Sequence, residues 1–433
     1  MSFSKKTIRD IEVKGKTVLL RADFNVPVKD GKITNDYRIK QSLPTVQYLL
    51  EHGAKLVVCS HLGRPEGKRD TDASLFPVAK RLDTFLPDTN VSFVNECIGE
   101  KAQTAVQKLK PGELLLLENV RFHAEEEKND PEFAKQLASL ADVFVQDGFG
   151  VVHRAHASTE GVTKHLPSVS GLLLEKEVDT ITKVMEAPER PLMAVVGGAK
   201  ISDKIEILNR FIDMADFVAV GGAMANTFLA AQGIDVAKSL YEPDDIPLAK
   251  SIIEKARAKS KAQPFTFYLP QDGVAAHKID RTATTRIVDW SAHVISSIEH
   301  YPKRAPREAG VVHKDEMILD IGPFSASFIA GGVQLAKTVV WNGTMGVTET
   351  EGLRGPVGPF AHGTEIVTQA LLGEFGTKPF TVVGGGDTVG YVENQGLVSA
   401  FGHVSTGGGA SMELMAGQTL PGVAALEDKS KGS

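Results

Sequence analysis

LMAVVGGAKISDK, Leu192 to Lys204, runs from apolar β-type residues into two glycines, then a lysine, then a second lysine four positions on. A strand that stops at Gly197-Gly198 and turns into a helix leaves unpaired backbone N–H groups at the helix start. Lysines placed there make the turn attractive to anions such as phosphate. The spacing predicts Lys200 and Lys204 on one face of the first helical turns. The bland alternative is a turn with a solvated lysine pair. Recurrence favours the anion site, because a strand followed by polar or glycine residues is repeated along the whole chain.

Short β-rich runs alternate with helical patterns from the start, which predicts βαβ units, an α/β fold and largely parallel sheets. Val18–Leu20 leads into Arg21, Asp23 and Asn25; Leu56–Cys59 into His61 and Arg64; Leu114–Leu117 into Asn119 and Arg121; Val143–Val145 into Asp147 and a loop with His153, Arg154 and His156. Ligands of open α/β sheets bind outside the carboxyl ends of the strands, so these loops should converge. Ile39, Leu43, Val46 and Leu50 have helical spacing with Gly53 as a stop, and Arg38 falls in the loop or first turn ahead of them. Arg38, Arg64, Arg121 and Arg154 would then gather beside His61. Such guanidinium forks suit a small, multiply anionic ligand, although any one of them alone reads as a surface ion-pair partner. Asp23 and Asn25 supply acceptors for a hydroxyl-bearing ligand. For Arg21 an internal salt bridge to Asp23 is the preferred role. His153 and His156 lack a third metal ligand nearby in sequence and read as phosphate contacts or packing.

Leu174, Val178, Ile181 and Met185 form a helical stripe before Pro188 and Pro191, after which the strand ends change character. Phe217–Val220 meets Gly221-Gly222, Phe265–Leu269 meets Gln271-Asp272-Gly273, and Met317–Leu319 meets Asp320-Ile321-Gly322. Val339–Trp341 meets Asn342-Gly343-Thr344, and Phe380–Val383 meets Gly384-Gly385-Gly386-Asp387-Thr388. Bare backbone lets a flat ligand and its phosphates approach closely. Asp387 is suited either to cap its helix or to hold Mg²⁺. Ser405–Ser411 is a further glycine-rich oxyanion site.

At 433 residues the chain exceeds what one core usually supports, so two or three domains are expected from length alone. A net charge of -6 argues against a general nucleic-acid binder, so any anion specificity must come from local clusters. Two cysteines, Cys59 and Cys97, offer no disulfide framework and read as core fillers in a reducing compartment. The amino-terminal stretch lacks the apolar centre of a signal peptide, and no apolar run approaches the roughly 20 residues of a membrane span. A cytoplasmic protein with no membrane or nucleic-acid partner is the simplest expectation.

Known nucleotide fingerprints fail. Gly15-Lys16-Thr17 mimics the end of a Walker loop, but Asp10 stands where its first glycine belongs; Gly384–Gly390 is not GxGxxG. The HRDxxxxN loop of protein kinases is missing as well. What the sequence does resemble, in order and over nearly its full length, is phosphoglycerate kinase. The matching motifs are VLLRADFNVP at 18–27, SHLGRP at 60–65, ENVRF at 118–122, HRAHAS at 153–158, GGAKISDK at 197–204, WNG at 341–343, GGGDT at 384–388 and HVSTGGGAS at 403–411.

The resemblance implies two Rossmann-like domains with mainly parallel sheets, joined by a hinge helix across a cleft. The boundaries it suggests are 1–170 plus about 405–433, a connecting helix at 171–187, and 188–404. It implies 3-phosphoglycerate or 1,3-bisphosphoglycerate on the first domain, at Asp23, Asn25, Arg38, His61, Arg64, Arg121 and Arg154. It implies ATP or ADP with Mg²⁺ on the second, at Gly198, Lys200, Lys204, Asn342, Glu349, Gly385, Gly386, Asp387 and Thr388, with Asp387 on the metal. Arg38 and Lys200 resemble the charge-stabilising catalytic pair, and the family is usually monomeric. Thr344 departs from the usual proline, Val151-Val152 from the usual threonine or alanine, and Ser297–Lys314 with the polar tail Glu427–Ser433 lengthens the chain. Two other classes compete. A dehydrogenase would need the missing GxGxxG, and a non-catalytic paralogue should have lost Arg38, Lys200 or Asp387.

Overall fold

The computed structural model describes residues 3–290, 310–353 and 357–429. Most of the lengthening segment (297–309) and the last four residues of the tail lie outside the described residues. The chain divides into two compact units, Met1–Lys183 with Gly409–Ser433, and Val184–Gly408.

The first unit is built on six parallel strands in the spatial order Val91–Val94, Leu114–Leu117, Lys55–Cys59, Thr17–Arg21, Val143–Gln146, Ser168–Ser170. Leu114–Leu117 is a continuous apolar run buried on both faces, as a strand covered by helices on each side must be. Alternate residues serve opposite layers. Leu20, Val58, Leu116 and Val145 pack with Ile39, Val46 and Leu82 on one side, while Leu19, Val57, Leu115 and Phe144 pack with Phe133 and Leu137 on the other. Cys59 and Cys97 belong to the second layer, and burial pushes the Cys59 thiol up to about 12. The helix Tyr37–Glu51 covers the first layer and stops at Gly53, whose φ of 73° takes the chain into the next strand. The chain's end returns to this unit, with Gly422 N donating to Val152 O and Glu427 N to Ser168 O, both within 3.0 Å.

Helix Leu172–Glu186 carries the chain out of the first unit. Asp147, at the end of its strand, caps that helix by accepting from Leu173 N at 2.9 Å and Leu174 N at 3.2 Å. Gly171 lies against the cap so tightly that a Cβ there would fall 2.2 Å from Asp147 Oδ1. Gly171→Ala is therefore expected to destabilise the first unit by about 2 kcal/mol. Urea unfolding measures this, and an unshifted midpoint would show that the corner relaxes at no cost.

The second unit has six parallel strands in the order Thr266–Tyr268, Phe217–Val220, Leu192–Val196, Thr338–Asn342, Phe380–Gly384, His403–Val404. Counted along the chain, that is the doubly wound order 3-2-1-4-5-6. A separate antiparallel sheet joins Arg286–Asp289, Asp272–Ala276 and Met317–Ile321. Two runs that the sequence suggested as strand and strand end, Met317–Leu319 and Gln271-Asp272-Gly273, thus both feed this sheet outside the parallel one, with Met317 opposite Ala276 and Gly273 opposite Ile321. Asp272 fixes this arrangement, accepting from Phe324 N and Ser325 N at 3.0 and 2.8 Å and so capping helix Pro323–Leu335. No helix among the described residues is long and apolar enough to cross a membrane.

Candidate active site

In the first unit the strands Leu114–Leu117, Lys55–Cys59, Thr17–Arg21 and Val143–Gln146 are consecutive neighbours. Strands stand about 4.8 Å apart. The loops bearing Arg121, then His61 and Arg64, then Asp23 and Asn25, then Arg154 therefore leave the sheet side by side. His61 is buried between them. Burial, followed by the fields of Arg21, Arg121 and Arg38, drives its imidazole pKa well below the ordinary value, so the ring is neutral. The geometry agrees: His61 Nδ1 lies 3.3 Å from Arg21 Nη2 and 4.0 Å from Asp23 Oδ1, the carboxylate whose other oxygen Arg38 holds.

Each group is held by identifiable partners. Arg38, in the first turn of its helix, donates to Asp23 Oδ2 at 3.0 Å and to Asn25 O at 3.3 Å. Asn25 Oδ1 accepts from Gly63 N at 2.9 Å, and Arg121 Nη1 donates to Gly63 O at 3.0 Å, so the His61 loop is tied to both neighbours. Arg64 and Arg154 are exposed, and Arg64 makes no hydrogen bond or ion pair among the described residues. Burial lowers His156 to about 4, with Arg121, Arg21 and Arg154 adding to the effect. Arg121 Nε is ion-paired with Glu127 Oε1 at 3.1 Å, whereas His153 Nδ1 and His156 Nδ1 are buried without hydrogen-bond partners. Buried polar atoms left in that state are costly unless a ligand or water completes them.

Arg21 corrects the sequence expectation. It does not bridge to Asp23. Its Nε donates to Ser158 Oγ at 2.7 Å, Ser158 Oγ donates to Glu126 Oε1 at 2.6 Å, and Arg21 Nη2 lies 3.3 Å from His61 Nδ1. Asp23 is taken by Arg38, and the fully buried Glu126 is the carboxylate that balances Arg21. Glu126 went unnoticed in the sequence because Glu125-Glu126-Glu127 has the look of a solvated face. A serine hydrogen-bonded beneath the arginines is the only hint, and it is visible only in three dimensions.

In the second unit the strand order reverses between Leu192–Val196 and Thr338–Asn342, the place where doubly wound sheets bind ligands. The two strand ends touch: Gly197 N donates to Asn342 O at 2.9 Å, and a Cβ on Gly343, whose φ is 110°, would lie 2.1 Å from Gly197 O. Lys204 Nζ donates to Asn342 O at 2.9 Å and to Asn342 Oδ1 at 2.6 Å, leaving Asn342 Nδ2 buried with no partner. Its ammonium is tucked under Gly198, and desolvation lowers its pKa to about 8 against the opposing pull of Asp387 and Asp203. A cavity of about 360 Å³ opens beside these groups, polar at Gly198, Glu349 and Asp387 and apolar at Leu240, Ile279 and Trp290.

The two lysines part company. The helix begins only at Ile205, after a 3-10 turn at Ser202–Lys204, so Lys200 and Lys204 do not share its first turns. Ile201 is already in helical backbone, and the carboxylate of Glu242 anchors it by accepting from Ile201 N at 3.1 Å. Lys200 is exposed, 3.8 Å from Glu242 Oε1. Thr388 is buried, and its hydroxyl accepts from Gly343 N at 2.6 Å, so it braces the Asn342 loop. Thr344, where a proline was expected, closes its own turn by donating to Gly346 O at 3.0 Å. Gly385 is the N-cap of helix Gly386–Asn394, and Asp387 stands exposed in its first turn, with no hydrogen bond or ion pair among the described residues. An accessible carboxylate at the edge of that cavity fits Mg²⁺, which takes one or two carboxylates and fills its shell with phosphate oxygens and water.

The profile of the phosphoglycerate kinase family matches residues 8–418. The chain belongs to the phosphoglycerate kinase family. It is 47% identical to the phosphoglycerate kinase of Moorella thermoacetica over 427 residues, covering 99% of this chain and 100% of that one. The corresponding protein of Pelotomaculum thermopropionicum is 46% identical over 433 residues, at 99% and 100% coverage. Among solved structures, phosphoglycerate kinase from Coxiella burnetii superposes with a TM-score of 0.79 at 36% identity, covering 97% of this chain and 98% of that one. The enzyme from Pyrococcus horikoshii gives 0.76 at 30% identity, with the same coverage. The chain is thus a kinase, a phosphotransferase with two domains and ATP and ADP as co-substrates. Its reaction is the family's, reversible phosphoryl transfer between 1,3-bisphosphoglycerate and ADP to give 3-phosphoglycerate and ATP, a step of glycolysis.

Proposed function

We propose that the guanidinium-rich strand ends of the first unit hold the phosphoglycerate and that the glycine-lined strand ends of the second hold the nucleotide with Mg²⁺. Asp23 and Asn25 accept from the ligand hydroxyl, neutral His61 hydrogen-bonds it, and Arg38, Arg64, Arg121 and Arg154 pair with its carboxylate and phosphate. Gly198, Lys204, Asn342, Gly385 and Gly386 receive the nucleotide phosphates, Glu349 lies toward the ribose, and Thr388 keeps the loop in place. Asp387 holds Mg²⁺, which neutralises phosphate oxygens when bound. The strongest support is the sheet order of the first unit, in which the four arginine- and histidine-bearing strands named above are immediate neighbours.

In a loose, in-line transfer a carboxylate oxygen of 3-phosphoglycerate bonds to the γ-phosphorus of ATP as the bond to the β,γ-bridging oxygen breaks and ADP leaves, and charge spreads over three equatorial oxygens. Arg38 and Lys200 neutralise that charge. The attacking atom is already an anion in either direction, so no general base is required, in keeping with a neutral His61. Substrates carried by different units have to meet away from water, because an acyl phosphate is readily hydrolysed. Helix Leu172–Glu186 therefore acts as part of a hinge. The scattering profile is expected to compact when both substrates are present, and an unchanged profile would count against closure. We further propose a cytoplasmic monomer, for which two unpaired thiols and the one-chain mass expected in sedimentation are the relevant properties. A coupled assay showing ATP consumption that depends on 3-phosphoglycerate tests the assignment as a whole; consumption independent of the acid would refute it.

Lys204 makes the reaction pH-dependent. A lysine whose pKa is lowered to about 8 is charged below that pH and neutral above it. kcat/KM for ATP is expected to fall as pH rises through about 8, since kcat/KM reports ionisations of the free enzyme. In Lys204→Arg the guanidinium stays charged and the break should vanish. A profile of the unaltered enzyme that is flat to pH 9.5, on the order of one and a half units past the break, would remove Lys204 from the phosphate site.

A further inference from the structure

We propose that Glu96, Cys97 and His123 form a binding site for a borderline-soft divalent cation, Zn²⁺ being the best fit, in the first unit and apart from the Mg²⁺ position at Asp387. Their carboxylate oxygen, thiol sulfur and imidazole nitrogen all lie within 4.8 Å of one another, the one such group of three among the described residues. The site is assembled by the sheet. Strands Val91–Val94 and Leu114–Leu117 are hydrogen-bonded neighbours, with Val94 opposite Leu117, and the segments leaving their carboxyl ends run on to Glu96-Cys97 and to His123.

Each donor is already oriented. Arg69 Nη2 holds Glu96 Oε2 at 3.2 Å, which leaves Oε1 turned toward His123 Nε2 at 2.8 Å. That is the outer-shell support a ligating carboxylate needs. The imidazole ring packs against Phe133, with centroids 5.3 Å apart. Cys97 is fully buried in the apolar layer with Leu117 and Phe133, whereas the side chains of Glu96 and His123 are 25% and 27% exposed. The sulfur is thus a fixed floor, and the other two donors form a mouth open to solvent.

The donor set selects the ion. Tetrahedral Zn²⁺ takes sulfur at about 2.3 Å and nitrogen or oxygen at about 2.0–2.2 Å, which places ligand atoms about 3.5 Å apart. Side-chain shifts on the order of 1 Å reach that from the present spacing, and water from the open side completes the shell. Binding moves the thiol proton to water, so one divalent cation meets a thiolate and a carboxylate and the site is neutral overall. Mg²⁺, which requires oxygen ligands, is excluded by sulfur and nitrogen. Arg121 lies in the turn Val120–Phe122 immediately before His123, so the ion would tie that turn to the end of the neighbouring strand.

Tag-free full-length protein, stripped with a chelator, is to be titrated with Zn²⁺ against a chromogenic chelator in excess Mg²⁺. One equivalent should bind and raise Tm, and Cys97→Ser and His123→Gln should each weaken binding by about 10²-fold or more. Cys59→Ala should bind as the unaltered protein does. Co²⁺ in place of Zn²⁺ should give a thiolate-to-metal charge-transfer band that Cys97→Ser abolishes. Circular dichroism establishes that the variants fold, and if Cys97→Ser does not, His123→Gln, at the open mouth of the site, decides. Less than one equivalent bound, displacement by Mg²⁺, or affinity unchanged in the folded variants would overturn the proposal.

Discussion

Arg38→Ala is expected to lower kcat about 10³-fold, the scale on which a cation stabilises a phosphoryl group in transit. Arg38 is posed for this by its own partners. Asp23 Oδ2 and Asn25 O share Nη1 at 3.0 and 3.3 Å, and the side chain remains 31% exposed, so the rest of the fork is available to a ligand. A charge that matters most when negative charge is spread over the moving group should be missed in kcat more than in KM. Arg64→Ala and Arg121→Ala should show the reverse, raising the KM of the phosphoglycerate with a smaller change in kcat. One complication can be separated. Removing Arg38 deprives Asp23, a residue 4% exposed, of its counter-charge, and that alone costs stability. Arg38→Lys keeps the charge but not the fork and should recover Tm while remaining well below normal turnover. Turnover within about tenfold of normal in a folded Arg38→Ala protein would take Arg38 out of the catalytic step.

What the sequence disclosed, and what it hid, follow from the range of the forces involved. The strand ends were legible because a run such as Leu114–Leu117 has no other use than a doubly buried strand, and because the polar residues always came after it. The stop at Gly53 and the helix carrying Arg38 are local matters of propensity and capping, and both were readable. Partner choice was not local. Arg21 and Asp23 are two residues apart and made an obvious pair, yet Arg21 is satisfied by Ser158, more than a hundred residues away, and Asp23 by Arg38. The start of the helix after Gly198 was misjudged for a similar reason, since the carboxylate that anchors the turn at Ile201 N belongs to Glu242, some forty residues on. The antiparallel pairing of Asp272–Ala276 with Met317–Ile321 escaped because a short apolar strand looks the same whichever sheet it joins.

Lys200→Ala is expected to match Arg38→Ala in kcat, about 10³-fold down, but with Tm unchanged. Here the structure bears on a point that spacing could not. Lys200 is 57% exposed and its nearest acid, Glu242 Oε1, is 3.8 Å away. An exposed pair of that length contributes little to stability, so the ammonium can leave it at almost no cost when a phosphoryl group is offered. Lys204 is the opposite case. It is bound to both oxygens of Asn342 and partly desolvated before any ligand arrives. Lys204→Ala should therefore lower Tm, strand Asn342 Oδ1 in the core, and raise the KM for ATP along with its effect on kcat. The two variants together distinguish a mobile cation that acts on the transition state from a fixed one that builds the ground-state phosphate site. If Lys200→Ala lowered Tm and left kcat within about tenfold of normal, while Lys204→Ala took the larger loss in kcat, the catalytic role would pass from the exposed lysine to the sheltered one.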